Sequence, residues 1–449
     1  MIFSLDPFVS CTIRENTDRR INRQMKKFTK EENSWSLYDW GSSAYSIIIT
    51  TAVFPIFYKS SATAAGVDAA DSTAYLGYTI AIFTFILAML GPILGTIADY
   101  RGMKKKFFTF FFILGVTFTA MLAFVPFDNW LLLLIFYTLA ALGATGANVF
   151  YDGFIVDVTT NERMHKVSAR GFSLGYIGST IPFLISIIII VLSQQGIIAL
   201  STTNASRIAF LITAIWWVVF SIPLYKNVKQ IHFIEREGKP VIQSFKRLGK
   251  TFKEIRQYKA LFLFLLAYFF YIDGVGTVIN MSTAYGTDLG LSATSLLIIL
   301  FATQVVAAPF ALLYGWLAGK FSEKKMLYVG IIVYIIVCTY AFFLETVVDF
   351  WILAMLVATS QGGIQALSRS YFGKLVPKEN SNEFFGFYNI FGKFASIMGP
   401  LLVAFTAQVT GKSNYGVFSL VILFIVGLII LSRVPEPKTS PSVDEVSTT

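Results

Sequence analysis

Charge is scarce in this sequence. Only 14% of its 449 residues are Asp, Glu, Lys or Arg, against about 25% in a water-soluble domain. A deficit that large over so long a chain excludes a surface that faces water throughout. Cysteine is almost missing: Cys11 lies in a polar N-terminal arm and Cys338 in an apolar run, which excludes a disulfide framework. The two histidines, His165 and His232, are far apart, and no Cys or His spacing fits a metal centre. No glycine-rich phosphate loop is present, which removes direct drive by ATP. No nucleophile motif or paired catalytic geometry is visible, so an enzyme is not expected and no cofactor is needed. Residues 1–34 lack the apolar core of a signal peptide. They read as a disordered cytoplasmic arm, in which Met25, followed by Lys26 and Lys27, is a second candidate start.

What the chain does have is apolar length. Hydrophobic residues make up 55% of it and aromatics 16%, gathered in runs near the roughly 20 residues that a bilayer-crossing helix needs. Twelve spans are read, at 35–58, 73–98, 107–126, 130–153, 171–193, 206–225, 260–285, 292–318, 326–344, 349–372, 386–408 and 414–433. Helix is their expected state, because a backbone amide in lipid must pair within its own segment and a barrel would show short alternating strands. The polar stretch 226–259 divides the chain into six spans (35–225) and six more (260–433), with a tail at 434–449. If the N-terminus is inside, every Lys and Arg except Lys59, Arg207 and Lys412 falls on the cytoplasmic side or in a span end facing it. Both termini are therefore expected in the cytoplasm. The same placement accounts for the net charge of +10 without a nucleic-acid partner.

Within the central stretch, Val241, Phe245, Leu248, Phe252 and Ile255 recur at helical spacing, with Lys246, Arg247, Lys250, Lys253 and Arg256 on the other face. A basic amphipathic helix on the inner leaflet is expected there. The halves also echo each other. Gly95, Asp99, Arg101, Gly102, Lys104 and Lys105 follow span two, and Gly315, Gly319, Lys320, Lys324 and Lys325 follow span eight. Repeats of this kind mark secondary transporters, whose site lies between the repeats.

These residues carry a resemblance. Gly95, Asp99, Gly102 and Lys104, in GTIADYRGMKK, match the loop 2–3 signature of the major facilitator superfamily; Tyr100 stands where an Arg is usual, and Gly319 replaces the acid in the second copy. YDWGSSAYS (38–46), YFFYIDGVGTVI (268–279) and the long block 361–400 resemble the vacuole effluxer family, the autophagy-related amino-acid effluxers and their bacterial relatives. Gly41 and Ser42 replace the family's usual Ala-Asn. The resemblance covers about 35–433. It implies twelve transmembrane helices in two six-helix bundles, the major facilitator fold, with spans one, four, seven and ten lining a central cavity.

Helical spacing alone finds polar stripes on those same spans: Asp39, Ser43, Ser46 and Thr50; Thr145, Asn148 and Asp152; Asp273, Thr277 and Asn280; Gln361, Gln365 and Arg369. Ser and Thr in such stripes serve packing as readily as function. Buried charges are functional or paired, so Asp273 is read either as a substrate or coupling group or as a partner of Lys393 or Arg369. Asp39 is read as a gate group or a solute site. The substrate or coupling candidates are Asp39, Ser43, Asn148, Asp273, Asn280, Gln361, Gln365, Arg369, Asn389 and Lys393. A cytoplasmic gate is expected from Gly95, Asp99, Arg101, Gly102, Lys104, Asp152, Asp157, Arg163 and Arg170. The expected function is secondary active transport of small polar solutes by alternating access, with efflux of amino acids implied by the resemblance and protons as a plausible coupling ion. Export of drugs or sugars, or a non-transporting sensor or scaffold, are the alternatives. A monomer in the bacterial plasma membrane is expected, with a vacuolar or other internal membrane as the second choice.

Overall fold

The computed structural model describes residues 27–235, 246, 258–288, 293–344, 346–410 and 413–436. Span one is a continuous run of α1 (Lys30–Ala44), a π-helical stretch (Tyr45–Ala52) and α2 (Val53–Ala64). The first half continues with α3 (Ala69–Ala98), α4 (Met103–Met121), α5 (Trp130–Gly153), the short α6 (Ile155–Val158), α7 (Met164–Gln194) and α8 (Thr202–Asn227). The second half is α9 (Lys259–Asp288), α10 (Ala293–Lys320), α11 (Glu323–Phe342), α12 (Val347–Leu375) and α13 (Ser381–Thr410). Its last span is broken into α14 (Ser413–Ser419) and α15 (Val421–Ser432). Among the described residues ten of these runs are long and apolar enough to cross a bilayer. The other two, α3 and α13, have 30 residues each, about 45 Å of helix at 1.5 Å per residue, and make up the expected twelve.

Local chemistry sets the helix ends. Thr29 accepts from the Glu32 amide at 3.1 Å, and the Glu32 carboxylate accepts from the Thr29 amide at 2.8 Å, a reciprocal cap. The first helix therefore starts at Lys30, inside the stretch expected to be a disordered arm. Thr346 and Asp349 cap α12 in the same way. At the other end of the first half, α8 stops at Asn227 and residues 228–235 dock beneath the first bundle, where Ile234 bridges Tyr100. The amphipathic helix expected at 241–256 lies outside the described residues, apart from position 246.

Bulky apolar side chains face outward, including Phe110, Phe124, Ile215, Val348 and Phe405, as a lipid-solvated surface requires. Aromatic rings fill the interior of the first bundle. Phe54 stacks on Tyr137 at 4.4 Å, and Phe57 meets Phe210 edge-on at 5.3 Å. Helices α4 and α5 touch backbone to backbone, because a Cβ on Gly143 would overlap Gly115.

The two bundles meet along two seams: α3 and α5 against α13, and α7 against α10 and α12. Helix α7 also lies close against α1. Gly171, Gly175 and Gly178, spaced by four and three, turn toward Asp39, Ser43 and Trp40, so no side chain separates those two helices at these points. Both described ends of the chain lie at one end of the bundle. The Arg163 guanidinium donates to the Lys27 carbonyl at 2.9 Å, Gly373 packs on Met164 of the same region, and the Tyr371 hydroxyl donates to the Pro435 carbonyl at 3.2 Å.

Candidate transport site and gate

Arg369 projects from α12 across the seam into the first bundle. Its guanidinium is 3.1 Å from Asp39 of α1 and 3.3 Å from Asp152 of α5. Its Nε donates to the Ser168 hydroxyl of α7 at 2.9 Å, and Nη2 donates to the Ser168 carbonyl at 3.2 Å. Ser168 in turn donates to the Ala366 carbonyl of α12 at 2.7 Å. The cation lies between the rings of Trp35 and Phe172, 4.6 and 4.4 Å from their centroids. Arg is suited to such a place, since a planar fork bonds along its edges and stacks on its faces. Trp35 is fixed by its own N–H, which donates to the Tyr151 carbonyl at 2.9 Å. Arg369 is only 4% exposed, and the two carboxylates are 15% and 14% exposed. Asn389 of α13 adds a long contact to Asp152 at 3.5 Å. One cation thus ties spans one, four and five to span ten.

A second cross-bundle contact lies nearer the chain ends. The Asp99 carboxylate, at the end of α3, accepts from the Asn382 amide at 2.9 Å, from the Asn382 side chain at 3.0 Å and from the Glu383 amide at 3.3 Å. The two backbone amides are first-turn donors of α13, which have no partner inside their own helix, and the carboxylate also meets the positive end of the helix dipole. Gly95 makes the approach possible, because a Cβ there would overlap the Asn382 backbone. Gly102 turns the chain with φ +71°, a conformation that costs glycine little.

Beside this seam Lys104 is fully buried. Its ammonium is 2.6 Å from Asp157 and donates at 3.1 Å to the Gly153 carbonyl and to the Ser381 hydroxyl of α13. The other Asp157 oxygen accepts from the Ile231 and His232 amides at 2.9 and 2.8 Å. Segment 228–235 is thereby pinned to the first bundle. Arg101 stays on the surface and pairs with Glu235 at 3.3 Å. Arg163 binds Glu32 at 2.7 Å, and Arg170 stacks on Phe28 at 4.3 Å; both contacts stay within the first bundle. On the other seam Gly315 packs on Ala169 and Gly319 on His165, so the second-half copy of the loop signature works through its glycines.

The family model described as "Vacuole effluxer Atg22 like" matches residues 28–443. The chain belongs to this family. It is 70% identical over 421 residues to the MFS-type transporter YxiO of Bacillus subtilis, covering 94% of this chain and 98% of that one. It is 26% identical over 304 residues to autophagy-related protein 22 of Yarrowia lipolytica, covering 59% of this chain and 50% of the other. The chain therefore spans about half the length of that fungal relative. Among solved structures, the major facilitator proton:xylose symporter XylE superposes with a TM-score of 0.66 at 12% identity, over 93% of this chain and 97% of that one. That likeness is one of fold. The vacuole effluxer relatives and this fold make the protein a multi-pass transporter of the major facilitator type and not an enzyme.

The other candidates of this effluxer-family protein fall in several places. Asp273 on α9 is buried in the second bundle and does not meet Arg369. It accepts from the Gly399 amide at 2.8 Å and from the Thr277 hydroxyl at 3.4 Å. Pro400 follows Gly399 inside α13. Asn148 accepts from the Tyr38 hydroxyl at 3.3 Å. Ser43 rests against Gly175. Gln365 donates to the Gln361 carbonyl at 3.0 Å. Asn280 and Lys393 lie on α9 and α13, but their side chains are outside the described residues. Ser46 and Thr50 of span one are exposed while Ile47, Ile48 and Ile49 beside them are buried, the reverse of a lipid-facing surface.

Proposed function

We propose that this protein is a secondary active exporter of small polar solutes, amino acids foremost, working by alternating access in a bacterial plasma membrane. The carrying observation is the Arg369 cluster: one cation from the second bundle held by two carboxylates of the first. It supports a conformation closed at the end that holds both chain ends, which the Lys and Arg distribution assigns to the cytoplasm. The exposed hydroxyls of Ser46 and Thr50 belong on the opposite, open side.

Opening the closed end requires the cluster to part. A zwitterion supplies both replacements: its carboxylate takes the guanidinium fork, and its ammonium takes Asp39 or Asp152. Proton uptake by either acid weakens the same tie, which gives a route for coupling. Asp273, buried among neutral donors, is a second proton site.

The test is counterflow of labelled amino acids, sugars and cationic drugs in proteoliposomes, with and without a pH gradient. Amino-acid exchange that Arg369→Gln abolishes is expected. Robust exchange of sugars or drugs with no amino-acid signal would overturn the assignment.

A further inference from the structure

The second bundle contains a cavity of about 80 Å³. Among the described residues its walls come from helices α9 to α14 and from Leu420, between α14 and α15, with Ile299, Leu353, Val357 and Val403 among the other apolar faces. Among the described residues none of the first bundle lines it.

Two side-chain amides, Gln361 and Gln304, line this void and turn it into a site. Gln361 is 5% exposed and lines the cavity. Its side-chain amide makes no hydrogen bond within the described residues; only its backbone carbonyl is engaged, by Gln365. An amide that faces an apolar void favours a ligand that completes its hydrogen bonds. Thr303 does not compete, since its hydroxyl donates to the Leu300 carbonyl at 2.7 Å. Thr277 likewise turns its hydroxyl to Asp273. Apart from the Gln304 amide, the remaining walls offer only dispersion. A charged or multiply polar guest would lose its hydration there without replacement. An apolar cavity of about 150 Å³ takes benzene, so one near half that volume takes a shorter chain.

We propose that the second bundle binds a small uncharged amphiphile, of the short-chain alcohol class, with its alkyl part in the cavity and its hydroxyl on the Gln361 amide. The proposal holds whichever solute the protein exports, although Gln361 is also one of the solute candidates.

The experiment is saturation-transfer NMR on the purified full-length protein with 1-butanol as the probe. Wild type is expected to give saturable transfer to the alkyl protons. Gln361→Leu keeps the space and removes the partner, so butanol binding should weaken about tenfold, while xenon, followed by ¹²⁹Xe NMR, binds as in wild type. Val357→Phe fills the space and should abolish both signals. Should that variant fail to fold, the butanol-against-xenon contrast in Gln361→Leu decides alone. Equal butanol affinity in wild type and Gln361→Leu, or no saturable binding in wild type, overturns the proposal.

Discussion

Replacing Arg369 by Gln should unlock the closed end of the protein. The substitution removes the one cation shared by Asp39 and Asp152. Stripping one partner from a buried ion pair costs about 3–5 kcal/mol. Water reaches both carboxylates to a small extent, at 15% and 14% exposure, so the lower figure applies. About 3 kcal/mol moves a conformational equilibrium roughly 150-fold, because the carboxylates regain hydration once the bundles separate. A cysteine at Met164 reports this change. That side chain is fully buried and packs on Gly373 across the seam, so it is alkylated only when the seam opens. In a background with Cys11 and Cys338 replaced by Ser, Met164→Cys should react with an impermeant maleimide at least tenfold faster when Arg369→Gln is added. Adding Asp39→Asn and Asp152→Asn to that variant leaves no bare charge and should restore protection. A labelling rate within twofold of the parent in the Arg369→Gln protein would refute the reasoning.

Four further outcomes follow from the same geometry. Lys104→Met leaves a fully buried Asp157 without its ammonium, a loss of about 3–5 kcal/mol; the melting temperature in detergent should fall clearly, and an unchanged value would count against the burial. Asp99→Ala removes the acceptor of three α13 donors, so hydrogen exchange at Asn382 and Glu383 should accelerate at least tenfold, and unchanged protection there would contradict the capping role. Asp273→Asn should abolish solute flux with the protein still inserted, while full flux would remove Asp273 from coupling. Gly171→Ala should raise Met164→Cys labelling about as much as Arg369→Gln does, and a silent alanine would mean that the cluster tolerates displacement.

The sequence made the architecture legible because lipid permits so few solutions. Long apolar runs marked the spans, and the polar stretch 226–259 marked the two halves. The stripe on span one was also readable: Ser46 and Thr50 are exposed between buried isoleucines, as a spacing of three and four implies. Which stripes would meet was not readable. Helical spacing orders residues around one axis, whereas the pairing of Arg369 with Asp39 and Asp152 depends on how two bundles dock. Asp152 was expected in the gate and Arg369 in the solute site, yet they share one cluster. Trp35, Phe172 and Ser168 went unnoticed because aromatics and serines are ordinary in membrane helices; only their position around a guanidinium singles them out. The π-helical stretch left no signal, since IIITTA suits an α-helix equally well. Lys104 was expected in the gate, and its partner Asp157 was expected beside it. Their common contact with Ser381 of the second bundle required the fold.

Gly171 carries a lesson for mapping function in such proteins. A Cβ there would overlap the Asp39 carboxylate and come within 2.9 Å of the Arg369 guanidinium. The residue has no group to ionise, donate or stack, so a survey of reactive chemistry passes over it. What it contributes is vacancy, a doorway one hydrogen wide through which span one reaches span ten. A single methyl placed in that doorway would act as an electrostatic mutation while leaving every charge in the protein unchanged.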